Sequence, residues 1–174
     1  MRFFPEPDSP DLAPYTQTFL RMMFAHVDFE RRVAELADAI TLDLRYGETL
    51  VWSAKERPKE FGKLCAQNQS KHPGGLPEAD AIVRCFDEAF PLCNDRNWLA
   101  HGVWWRFDAN VGLIDVHAVR LRSDEPLSRE FTAEQIQRVA DSFADLEVKL
   151  WQLQRAIEAR LPYEPLPSEL SDPE

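Results

Sequence analysis

Two long apolar stripes limit what this chain can become. In the first, Phe19, Met22, His26, Phe29, Val33, Leu36 and Ile40 follow one another at alternating steps of three and four. In the second, Ile136, Val139, Phe143, Leu146, Leu150, Leu153 and Ile157 keep the same rhythm. That spacing gathers seven side chains on one face of an α-helix, whereas a strand would scatter them over both faces. Helices over about residues 15–44 and 132–161 would each be about 40 Å long at 1.5 Å per residue. Apolar faces of that length stabilise each other by packing side by side, and an antiparallel pair is the expectation.

The second helix has a clear start and stop. Thr132 and Gln135 have the spacing of a capping box, with Phe131 and Ile136 placed as its hydrophobic staple, and Pro162 ends the run. Shorter pieces lie between the two. Pro58 to about Asn68 reads as a short helix anchored by Phe61 and Leu64. "KHPGGLP" reads as a loop, after which Pro77 opens another helix with Ile82, Cys85, Phe86 and Ala89 on its buried side. Pro91 is expected to kink or restart that helix, and Gly102 to end it in a left-handed conformation.

Beyond Gly102 the period shortens from helical to alternating. "VWWRFD" and "LIDVHAVRLR" read as two strands joined at "DANVG". Simple alternation puts Val103, Trp105 and Phe107 on one face and Trp104, Arg106 and Asp108 on the other. A lone hairpin is marginal in water, so one face is expected to lie on the helices. The predicted architecture is mainly α: a four- or five-helix bundle, residues 15–161, with a β-hairpin inserted before the last helix. Residues 1–14 and 162–174 hold eight of the 13 prolines and read as tails, the second acidic.

Composition narrows the function classes. No apolar run is long enough for a membrane span, and "MRFFPEPDSP" lacks the pattern of a signal peptide, so a cytoplasmic location is the expectation. Cys65, Cys85 and Cys93 are odd in number and lack metal-ligand spacing, so they read as small buried thiols, with neither metal nor cofactor called for. A formal net charge of −10 opposes bulk coating of nucleic acid while permitting a small basic pocket.

One segment carries more polar chemistry than a helix end requires: "CNDRNWLAHGVWW", residues 93–105. On a straight helix Arg96 and His101 are about 140° apart around the axis and about 7.5 Å along it. Asn97 and His101 stand one turn apart, so Asn97 is placed to hold the imidazole's orientation, and Asn94 extends the polar face backwards. The helix C-terminus favours an imidazolium at His101, while Arg96 opposes it. An arginine that grips phosphate beside a histidine that moves a proton suits metal-independent RNA cleavage. A solvated helix end accounts for the same residues without chemistry.

Arginine followed by histidine at this distance arises readily by chance, and the chain holds a second instance, Arg21 to His26 in "RMMFAH". There Met22 follows the arginine and Val27 follows the histidine, so His26 reads as a core or core-edge residue. The fuller "RNWLAHG" resembles the signature of the HEPN superfamily (higher eukaryotes and prokaryotes nucleotide-binding domains). The resemblance implies a helical bundle with the motif on an inner helix, and a homodimer that joins two motifs into one site. It implies Arg96, Asn97 and His101 as catalytic residues of a metal-independent endoribonuclease of toxin–antitoxin or phage-defence type. It also implies RNA as substrate and an antitoxin or nucleotidyltransferase as partner. Members that have lost catalysis act as binding modules for nucleotide, RNA or protein. At most one of Trp104 and Trp105 is placed to stack on a base; Trp105 reads as hydrophobic packing, and the role of Trp104 stays open. Arg106, Arg120 and Arg122 read as ordinary exposed strand residues, and His72 and His117 have no partner evident in the sequence.

Overall fold

The computed structural model describes residues 12–108, 112–118 and 127–162. Among them the first long helix, α1, spans Ala13–Thr41, with Pro14 in its first turn where no amide partner is needed. It ends at Leu42, which takes the left-handed conformation (φ 61°) and donates its N–H to the Asp38 carbonyl at 2.8 Å. All the stripe residues of α1 are buried except Phe19, which is half-buried against the core. The chain then returns along α1 through a 3₁₀ turn at Gly47–Thr49. Gly47 crosses so close that a Cβ there would lie 2.7 Å from Ala34 Cα.

The short helix α2 spans Arg57–Asn68 and buries Phe61 and Leu64 as expected. The helix α3 spans Ala79–His101, starting two residues after Pro77. It runs through Pro91 without restarting, so of the kink or restart expected the restart does not occur. The flanking Ala89 and Cys93 are both buried, so core packing on either side offsets the one hydrogen bond that proline cannot donate.

Three antiparallel strands follow: β1, Val103–Asp108; β2, Leu113–Ala118; and β3, Leu127–Phe131, in the order β1-β2-β3. The hairpin was legible in the sequence, and the third strand was not. Strand β1 also departs from simple alternation. Trp104 pairs with Val116 and Arg106 with Asp115, so a bulge inserts one extra residue between Trp104 and Arg106. Trp104 and Phe107 therefore share the buried face, where the sequence reading had put them on opposite faces. Phe107 meets Tyr15 edge to face at 5.2 Å, and Trp104 meets Phe19 at 5.3 Å. The Trp105 and Arg106 side chains, and all of Arg120 and Arg122, lie outside the described residues.

The last helix, α4, spans Ala133–Glu158. Its capping box forms: Thr132 Oγ1 accepts from the Gln135 amide at 3.1 Å, and the Gln135 side chain accepts from the Thr132 amide at 2.7 Å. The long helices pack along their lengths, but they run parallel, which corrects the antiparallel expectation. His26 meets Phe143 at 5.1 Å, and Arg32 reaches both Glu147 at 2.7 Å and Gln154 at 3.1 Å. The reason is the segment 42–56, which carries the chain back along α1 before α2 begins. A run of α2 forward and α3 back then leaves α4 pointing the same way as α1. Aromatic rings fill the centre: Phe61 stacks on Phe86 at 4.3 Å, and Phe29 touches Phe143 at 5.5 Å.

Candidate functional site

Residues 96–101 form the last turns of α3. Arg96 lies in line with Ala89 and Cys93, at helical steps of four and three, so it leaves the helix on its buried side. It is half-buried, and its Nε is shielded from water without an acceptor among the described residues. Its Nη1 donates to Asn97 Oδ1 at 2.8 Å. Asn97 was expected to orient the imidazole of His101. It orients the guanidinium of Arg96 instead, because adjacent residues of the same turn bring that acceptor within reach of the longer side chain.

His101 is exposed, as are Asn94 and Asn97. None of the described residues hydrogen-bonds to the His101 ring. The structure thus joins Arg96 to Asn97 and leaves His101 separate on the same helix end. That divergence agrees with the angular separation read from the sequence.

Local packing fixes where this helix end points. Gly102 terminates α3, but in an extended conformation (φ −79°, ψ 157°) and not the left-handed one expected. Its amide donates to the Trp98 carbonyl at 2.8 Å. Glycine is required here for space: a Cβ would lie 2.5 Å from the Trp98 carbonyl oxygen and would overlap the Val116 side chain. Trp104 then folds back and donates its indole N–H to the Leu99 carbonyl at 2.9 Å. This satisfies one of the helix's terminal acceptors and gives Trp104 a structural task, with its ring against Phe19. On the other side Arg129 of β3 pairs with Asp95 at 2.7 Å and lies over the rings of Trp98 and Phe131. Sequence reasoning missed Arg129, since nothing in "LSREF" distinguishes it from an exposed strand residue.

A second charged cluster lies on the inner side of α1. His26 Nε2 is 3.2 Å from Glu30, and Arg57 makes two hydrogen bonds to the same carboxylate at 2.8 and 2.6 Å. Burial alone would raise the Glu30 carboxyl, but the hydrogen bonds from His26 and Arg57 outweigh it and hold it at about 2. His26 is buried against Phe143, in keeping with its place in the apolar stripe. The three thiols are free and buried, and burial pushes Cys65 and Cys93 up to about 11, which leaves them unreactive. His72, without an evident partner in the sequence, is buried with Nε2 2.8 Å from the Ile40 carbonyl. His117 sits 3.1 Å from Asp115 on β2.

Among the described residues no cluster of His, Cys, Asp or Glu is placed to hold a metal ion, and no helix is long and apolar enough to cross a membrane. Set against family models, curated proteins and solved structures, the chain matches none.

Proposed function

We propose that this protein is a HEPN-like, metal-independent endoribonuclease that works as a homodimer. The observation that carries this reading is the state of Arg96. Its guanidinium is held by Asn97 on one nitrogen, while a second nitrogen is desolvated and lacks an acceptor among the described residues. Leaving such a donor unmet costs about 1–3 kcal/mol, which favours a guanidinium that leaves this position for an acceptor such as a phosphate oxygen. His101 stands on the same helix end, exposed and free to move a proton. In the reaction the ribose 2′-hydroxyl attacks the adjacent phosphorus, and the bond to the 5′-oxygen of the next nucleotide breaks. Arg96 stabilises the charge on the phosphate, and His101 takes or gives a proton. Because Arg96 and His101 diverge within one chain, two copies facing each other would complete the grip. An antitoxin or nucleotidyltransferase partner and a cytoplasmic setting belong to the same proposal.

The test is cleavage of single-stranded RNA in the presence of a chelator. Arg96→Ala and His101→Ala are each expected to reduce the rate by about 100-fold or more. Asn97→Ala should cost less, since its task is to hold Arg96. Equal cleavage by wild type and both principal variants would sink the reading. The net charge of −10 weighs against RNA as a substrate and leaves one other outcome. If no RNA is cut, the same site in a catalytically silent dimer would bind a nucleotide, RNA or protein.

A further inference from the structure

Helix α1 has a second face that the bundle does not use. Leu20, Phe24 and Val27 recur at steps of four and three, on the side opposite Met22, Phe29 and Val33, and are 49%, 68% and 58% exposed. A contiguous apolar stripe on a helix with its core face already buried is not required by the fold. Stripes of this kind mark interaction surfaces.

The charges beside the stripe indicate what it fits. Arg21 and Asp28 lie on the same flank of the stripe, at nearly equal distances on either side of Phe24. Arg21 is exposed and has no ion pair among the described residues. Among the described residues Asp28 has only a long contact of 3.4 Å to Arg31, with both side chains well exposed. A two-fold axis that pairs two helices antiparallel brings each flank against its own copy and reverses the order along it. About an axis near Phe24, Arg21 of one copy then meets Asp28 of the other, and Leu20 meets Val27. Self-complementarity of this kind is what an isologous contact demands and what an unrelated partner would not need.

We propose that the Leu20–Phe24–Val27 face of α1 docks antiparallel on the same face of a second copy of this chain. This rests on the dimer in the functional reading and adds the surface that forms it. The position suits that role. The same half of α1 carries Phe19, which packs on Trp104, and Trp104 is tied to Leu99 in the turns of α3 that hold Arg96 and His101. A copy seated on the stripe therefore lies at the same end of the bundle as the candidate site.

Sedimentation of the full chain over a concentration series tests this without RNA. Wild type should dimerise. Phe24→Glu should raise the dissociation constant by about 100-fold or more, and circular dichroism should show an intact fold because Phe24 lies outside the core. Arg21→Asp and Asp28→Arg should each weaken the dimer by about tenfold, and the two together should restore it to within a few-fold of wild type. Wild type that stays monomeric, or a dimer indifferent to Phe24→Glu and to both charge changes, overturns the proposal. Arg96→Ala and His101→Ala should remain dimeric. A dimer that responds to Phe24→Glu yet cuts no RNA supports the interface and fails the ribonuclease. Cleavage by a dimer that ignores Phe24→Glu does the reverse.

Discussion

Adding one methyl group at Gly102 sets a Cβ 2.5 Å from the Trp98 carbonyl oxygen and into the Val116 side chain. Neither neighbour gives way easily, since one is helix backbone and the other is buried in the sheet. Gly102→Ala should therefore lower stability by about 1–3 kcal/mol in chemical denaturation. A substitution that left stability unchanged would show that the junction of α3 and β1 can shift. The glycine was legible in the sequence as a helix end, and its reason was not. A left-handed residue and a close approach both select glycine, and only the neighbour across the gap distinguishes them. The same holds at Arg96. Its separation from His101 followed from helical geometry, but its bond to Asn97 depended on rotamers that spacing does not fix.

At the level of elements, local rules held where local atoms decide. The capping box formed because Thr132 and Gln135 need only each other. Thr132→Ala should cost about 1 kcal/mol, read as a shift in the denaturation midpoint at constant slope. No shift would mean that packing alone holds the first turn of α4. Local rules failed where packing competes with them. Pro91 was expected to kink or restart α3, and the restart is absent: the buried Ala89 and Cys93 keep the helix continuous. The bulge in β1 moved Trp104 onto the helices, because the sheet must present both Trp104 and Phe107 to α1. A period-two pattern cannot announce its own interruption.

The whole molecule is tied by carboxylates that bridge elements. Glu30 joins α1 to Arg57 of α2, Glu147 of α4 joins Arg32 of α1, and Glu78 before α3 joins Arg160 beyond α4. Glu30 falls from 4.5 to about 2 on folding. A carboxyl lowered by folding stabilises fully above its unfolded value, and that contribution fades as pH falls through the folded one. Stability should thus decline from about pH 4.5 toward pH 2. Glu30 accounts for about 2 kcal/mol of this, after allowance for water at its exposed edge. Glu78 adds in the same direction, since Arg160 holds its carboxyl below the usual range. Glu30→Gln should flatten the acid limb of a stability–pH curve, and an unchanged limb would refute the assignment.

The sequence by itself determined the two longest helices and their buried faces, the capping box, the hairpin and the polar end of α3. Each depends on residues within a few positions of one another, so periodicity and turn chemistry suffice. Tertiary structure decided that α1 and α4 run parallel, that a third strand joins the hairpin, and that Asn97 holds Arg96. A stripe of apolar side chains has the same period in either direction, so it states that a helix must be covered and not from which end its partner arrives. The return of the chain along residues 42–56 supplied that direction. It is a path through space, and no local pattern encodes it.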